Sequence, residues 1–246
     1  MSGSNPAPGS AVADPDEDPN AEIHCASPPC YLHELDPAWL GLPAAAPPAP
    51  PPALPWAEVR AWRKAERARL IAARAAVPMA ERRVRDQRIT EALRAAVPDL
   101  AGRHLGFYWP FKAEYDPRPL VRALHAEGGR LALPVVVEPR APMIFRPWRP
   151  GTRLEPGIWD IPVPAEGDPV LPDTLLVPLV GFDAACFRLG FGGGYYDRTL
   201  AAMAPRPFAI GIGFEAGRLS TIHPQPHDIP MDMVITERGL VHRRAG

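Results

Sequence analysis

The sequence predicts an α/β fold, an open and largely parallel sheet flanked by helices, preceded by a proline-rich N-terminal tail. Three observations carry this. Short, continuous apolar runs recur after Asp99, helical or turn segments separate them, and proline is concentrated at the start of the chain. The tail holds 14 of the 35 prolines in residues 1–55 and ends in AAAPPAPPPALP, a composition that favours an extended, mostly disordered segment over a packed one. The boundaries predicted are therefore a tail over 1–55 and one catalytic-type domain over 56–246.

From Trp56 to Val97 the chain reads as two helices. The first is arginine-rich, and the second opens at Pro78 and closes before Pro98. The apolar runs follow: HLGFYW (104–109), RLALPVVV (130–137), MIFRPW (143–148), TLLVPLVGF (174–182), PFAIGIGF (207–214) and MDMVITE (231–237). Helices are expected at about 117–127, closed by Gly128-Gly129, and at about 195–204.

Charge narrows the partners. Of 28 acidic residues, seven lie in 1–55, where there is no Lys or Arg, so the remainder sets 21 acids against all 27 basic residues. A moderately basic domain suits an anionic small molecule. No Lys/Arg run with interleaved aromatics appears, which argues against nucleic acid. There is no basic, apolar leader and no stretch approaching a membrane span, so a cytoplasmic protein is expected, with monomer as the default state. Three cysteines make no disulfide framework. In the tail, His24, Cys25, Cys30 and His33 lie close together, but their spacing matches no standard zinc pattern. Metal binding there is the minority reading against a docking segment or an idle tail.

The chemistry concentrates in GFDAACFRLGFGGGYYDR (181–198). Gly190, Gly192, Gly193 and Gly194 lack the Cβ that keeps a backbone away from a ligand, and the helix that follows offers unpaired N–H groups to an anion. A tight structural turn explains the glycines about as well. The stretch is neither a Walker A loop nor a dinucleotide fingerprint. Its flanks, Asp183, Arg188, Asp197 and Arg198, are suited to holding phosphate and Mg²⁺ together.

VGFDxxxxRLGFGGGYYDRTL, with FYWPFKAEYD upstream, LALPVV between them and HDIPMDMVITERG near the end, resembles the 5-formyltetrahydrofolate cyclo-ligase family over about residues 57–240. The resemblance implies ATP- and Mg²⁺-dependent closure of 5-formyltetrahydrofolate to 5,10-methenyltetrahydrofolate. It implies ATP contacts at Arg63, Lys64 and Arg67 and along Arg188, Leu189, Gly190, Phe191, Gly192, Gly193, Gly194, Tyr195, Tyr196 and Asp197. Arg188, Tyr196 and Asp197 are the catalytic candidates, and Trp109, Glu114, Trp148 and Tyr196 are the folate candidates. Asp197 and Asp228 are the choices for Mg²⁺, with Asp232 a lesser helper, while His227 reads as a turn residue. For Trp148, a core role competes equally. One of Tyr195 and Tyr196 is expected to point into the core.

Three positions depart from the family pattern: Cys186 in place of a glycine, Gly217 in place of a glutamine and Gln225 in place of a glutamate. They motivate a rival reading, a non-catalytic folate- or nucleotide-binding paralog. A different phosphoryl-group chemistry on the same scaffold is a third.

Overall fold

The structure is a computed structural model, and it describes residues 54–243. The expectations for the tail, including the His24/Cys25/Cys30/His33 cluster, lie outside the described residues. No helix among the described residues is long and apolar enough to cross a membrane.

Two helices lead: α1 (Trp56–Ala75) and α2 (Met79–Ala96). Pro78 sits just before α2 with an extended backbone, capping the helix from outside its first turn. Strand β1 (His104–Gly106) enters the sheet, α3 (Arg118–Ala126) follows, and then β2 (Arg130–Val135) and β3 (Ile144–Trp148). Leu120, Val121 and Leu124 give α3 its apolar face, and Gly128, at φ +91°, ends it in a left-handed turn that a side chain would strain. A small hairpin of β4 (Leu154–Pro156) and β5 (Pro162–Pro164) precedes β6 (Thr174–Pro178). A second small hairpin, β7 (Gly181–Phe182) and β8 (Arg188–Leu189), leads to α4 (Tyr195–Ala202), β9 (Phe208–Ile212), β10 (Met233–Thr236) and β11 (Gly239–Arg243).

The main sheet has seven strands in the order β11-β10-β9-β6-β1-β2-β3. Its five central strands are mutually parallel, and the edge strands β3 and β11 are antiparallel to their neighbours. The α/β architecture expected from the apolar runs is present. Central strands are buried on both faces, which is why β6 and β10 read as unbroken apolar runs rather than alternations. One core packs Ile89 and Leu93 of α2 and Leu120 and Leu124 of α3 against one face of the sheet; the other packs Leu200 of α4 with Val177, Ala209 and Val234.

Three sequence readings change. TLLVPLVGF is not one strand: it breaks after Pro178, and Gly181-Phe182 pairs instead with Arg188-Leu189. The glycine-rich turn therefore leaves a hairpin, not the central strand itself. MIFRPW forms an antiparallel edge, and the β4–β5 hairpin and β11 carried no sequence signal strong enough to be anticipated.

Candidate active site

A cleft of about 770 Å³ opens between α1, the glycine-rich turn, the start of α4 and the β4–β5 hairpin. Its volume is ample for a ligand of cofactor size. Residues from Trp56, at the start of α1, to Ile229 reach it, so it is assembled from distant parts of the chain.

One wall is cationic. Arg63 and Arg67, four residues apart on α1, share a face. Arg63 is buried: its Nε donates to the Ile222 carbonyl at 3.0 Å, and Nη2 to the His223 carbonyl at 2.9 Å and to Asp228 at 2.5 Å. Arg67 donates from Nε to the Gly190 carbonyl at 2.5 Å. Burial, with the Arg63 charge beside it, lowers the Arg67 pKa from its ordinary value. An anion placed here would relieve that crowding. Lys64 does not take part: it is exposed and lies outside the cleft lining, because it follows Arg63 by one residue and so turns to another side of the helix.

The glycine-rich turn forms the adjoining wall. Gly192 (φ +94°) and Gly194 (φ +66°) adopt left-handed backbone, and a Cβ on Gly192 would stand 3.3 Å from the Arg67 guanidinium carbon. The N–H groups of Gly192, Gly193 and Gly194 have no acceptor among the described residues. Both properties are those an anion-binding turn requires. Leu189 packs its side chain with Leu70 and Val180 beneath α1, anchoring the turn's entry.

Arg188, 8% exposed, donates to the Ile229 carbonyl at 3.0 Å and pairs with Asp197 at 2.8 Å. Asp197 also accepts from the Ile229 N–H at 3.1 Å, which brings it to within one residue of Asp228. Both tyrosines line the cleft. Tyr196 packs on the inner core, and burial, reinforced by the Glu114 charge, pushes its hydroxyl pKa well above the ordinary value. Tyr195 instead meets Trp159 edge-on, with ring centroids 6.4 Å apart.

Trp109 and Glu114 stand in the same cleft as the glycine-rich turn. Glu114 is 6% exposed, and its Oε2 accepts from the Phe111 N–H at 2.9 Å. Its Oε1 has no hydrogen-bond partner among the described residues, with Arg74 Nη2 4.0 Å away. Burial raises the Glu114 pKa to about 7, against the opposing Arg74 charge and the Phe111 N–H. A buried acceptor without a donor is costly in a resting protein and useful to a ligand that brings one.

Other candidates fall away. Trp148 is a core residue, 7% exposed and edge-on to Phe107 at 5.1 Å, on the side of β3 away from the cleft lining. Asp183 is consumed by backbone, accepting from Ala185, Phe187 and Ile222 N–H groups. Asp232 pairs with Arg206 and caps Ala209 outside the cleft. The departures from the family pattern are mild. Cys186 holds the φ of +64° that a glycine would adopt there, buried under Met231, whose N–H donates to its carbonyl. Gly217 and Gln225 do not line the cleft; a Cβ on Gly217 would stand 2.8 Å from the Val180 carbonyl, so glycine suits this particular backbone.

The sequence reading missed Trp56, Arg60, Met143, Ile158, Trp159 and His227, all of which line the cleft. For Trp159 a faint signal existed in GIWDIP. Gly157 starts a turn in which Trp159 and Asp160 both hold φ +58°, lifting the indole to 54% exposure over Tyr195.

A sequence profile of the 5-formyltetrahydrofolate cyclo-ligase family matches residues 59–237. The chain is 35% identical over 168 residues to a 5-formyltetrahydrofolate cyclo-ligase of Mycolicibacterium smegmatis, spanning 63% of this chain and 85% of that protein. It is 31% identical over 146 residues to that of Escherichia coli K12, spanning 56% and 80%. Its fold is similar to the NMR structure of Aquifex aeolicus 5,10-methenyltetrahydrofolate synthetase, with a TM-score of 0.66 and 28% identity over 75% of this chain and 94% of that one. The Mycoplasma pneumoniae 5,10-methenyltetrahydrofolate synthetase gives a TM-score of 0.58 and 25% identity over 71% and 98%. With these matches spanning the segment that builds the cleft, the chain belongs to the 5-formyltetrahydrofolate cyclo-ligase family of enzymes.

Proposed function

We propose that the chain converts 5-formyltetrahydrofolate to 5,10-methenyltetrahydrofolate with consumption of ATP. The observation that carries this reading is the shared cleft. An anion cradle of Arg67 and the glycine-rich turn faces a buried, donor-seeking carboxylate at Glu114 beside Trp109.

The N5-formyl group is an amide and a poor electrophile. Transfer of the ATP γ-phosphoryl group to the formyl oxygen breaks the bond to ADP and leaves that oxygen as part of a good leaving group. The N10 lone pair then attacks the formyl carbon, closing the ring; phosphate departs with the oxygen and N10 gives up its proton to solvent or phosphate. The protein's share is positioning and charge neutralisation. Arg67 and the turn's N–H groups receive phosphate oxygens, and Arg188, held by Asp197, faces the transferred group. Trp109 stacks on the pterin, and Glu114 Oε1 accepts from its amino-pyrimidine N–H groups. Tyr196, its hydroxyl held neutral, donates a hydrogen bond between the two ligands.

Asp197 and Asp228 are suited to Mg²⁺. They are hard oxygen donors on one wall, each already paired with an arginine, Asp197 with Arg188 at 2.8 Å and Asp228 with Arg63 at 2.5 Å, so an ion would share them with those guanidinium groups. Such a pair fits an ion that takes one or two carboxylates and completes its shell with phosphate oxygens and water. Mg²⁺ held there supplies neutralisation of phosphate charge.

The non-catalytic reading loses its motive, since Cys186 adopts the required backbone and Gly217 and Gln225 lie outside the cleft. The placement of Trp109 and Glu114 beside the cradle favours a folate over another phosphoryl acceptor. The test is spectroscopic detection of the methenyl product. Product formation by the unmodified chain, lost in Arg67→Ala, Glu114→Ala and Asp197→Asn, is expected. No product from folded protein at any ATP concentration overturns the activity, and unchanged rates in all three variants overturn the site.

A further inference from the structure

We infer that Trp56, with His227 beside it, is the platform for the nucleobase of the bound nucleotide, an aromatic subsite at the mouth of the cleft. The inference rests on the ATP reading above. Trp56, Arg60, Arg63 and Arg67 all line the cleft and follow one another on α1 at intervals of four, three and four residues, which places them in one stripe. Eleven residues of helix rise about 16 Å, comparable to the length of an extended nucleoside triphosphate.

The direction along that stripe follows from its ends. At the inner end, Arg67 contacts Gly190 and Gly192 of the anion cradle. Phosphates belong there, so the rest of the nucleotide must run either toward Trp56 or into the folate half. The folate half is closed off by buried Glu114 and the apolar side chains of β4–β5, and it is needed for the second substrate. The outward path passes Arg60 and ends on Trp56.

Trp56 is 49% exposed, so much of its indole is open to a ligand at the mouth of the cleft. The His227 ring meets it edge-on, with centroids 6.1 Å apart and planes at 87°. The two rings form a corner: a flat base stacked on the indole turns its polar edge toward the imidazole nitrogens. His227 is covalently next to Asp228, the partner of Arg63, so the corner is tied to the cationic wall. Trp56 also lies upstream of the family-matched residues 59–237, so its placement in the cleft comes from the fold and not from the family match.

The experiment titrates the full chain with ATP and, separately, with inorganic tripolyphosphate, which has the phosphates but no base. Trp56→Ala is expected to weaken ATP binding by about tenfold or more, the range of base–aromatic stacking, while tripolyphosphate binding stays unchanged. Trp56→Phe should recover most of the loss. Equal weakening of both probes, unchanged ATP binding in Trp56→Ala, or a rise in folinate KM with ATP affinity intact each overturns the platform. Absence of ATP binding by the unmodified chain overturns the nucleotide reading itself, and the platform with it.

Discussion

Helices α1 and α2 are neighbours in sequence and carry five arginines each, yet they put most of those arginines to different uses. On α1, Arg63 and Arg74 are buried, and Arg63, Arg67 and Arg74 donate to the carbonyls of Ile222, Gly190 and Lys112, which belong to distant segments. On α2, Arg83 and Arg88 face solvent, while Arg85 and Arg94 pair with Glu81 and Glu127 at 2.5 and 2.7 Å on the surface. The difference lies in what each helix packs against. α2 turns Ile89 and Leu93 to the sheet and leaves most of its arginines outside; α1 turns Arg63, Arg67 and Arg74 inward and leaves Arg69 on the surface beside Glu66. Composition identifies an arginine-rich helix, and docking decides whether its cations face a cleft or water.

Substitutions can break or sharpen this contrast. The largest effect is expected for Arg67→Ala, which removes a preorganised cation from the cradle and should lower kcat/KM for ATP by about 10²–10³-fold, measured by steady-state kinetics. Arg88→Ala on α2 should leave that ratio unchanged. Equal losses from both would abolish the distinction between the helices.

Next comes Asp228→Ala, which strands the buried Arg63 guanidinium. A destabilisation of about 3 kcal/mol is expected from denaturant unfolding, beyond any effect on Mg²⁺. Residual carbonyl contacts to Ile222 and His223 make a smaller loss the sign that they suffice to hold Arg63.

The third concerns pH. Glu114 is raised to about 7 by burial. The native carboxyl therefore keeps its proton at pH values where the unfolded one, near 4.5, has lost it. Stability of the unliganded protein should fall as pH rises from about 4.5 to about 7 and then level off. Folinate affinity should rise through the same upper limit, because the ionised oxygen is the better acceptor. Glu114→Gln should flatten both profiles. Arg74→Met, which removes the cation that opposes the burial effect, should move the binding midpoint upward; an unmoved midpoint would show that Arg74 acts only through its carbonyl contacts.

The smallest effect is expected at the Arg94–Glu127 pair on α2. Both partners are exposed, so Arg94→Ala should cost less than about 1 kcal/mol, and less still at high salt.

Much of the site was legible before folding. Glycines at 190 and 192–194, flanked by Arg188 and Asp197, announce a turn suited to a ligand or to a tight chain reversal, and Arg63 and Arg67 announce a helix face. Trp109 and Glu114 were found through family resemblance alone. Trp148 misled because an aromatic in an apolar run looks the same whether it faces the core or the cleft, and strand register decides between them. Asp183 misled because an acid beside a glycine-rich turn can equally well serve backbone N–H groups.

By itself, then, the sequence determined the α/β architecture, through unbroken apolar runs that a doubly covered parallel sheet accommodates, and the position of the glycine-rich turn, through backbone that glycine adopts at no cost. Tertiary structure alone decided which charges face the cleft. Arg63 meets Asp228 across 165 residues, and Trp56 and Trp159 reach the same cleft from segments far apart in the chain. Local pattern records what a segment can do; only the packing of distant segments sets what it faces.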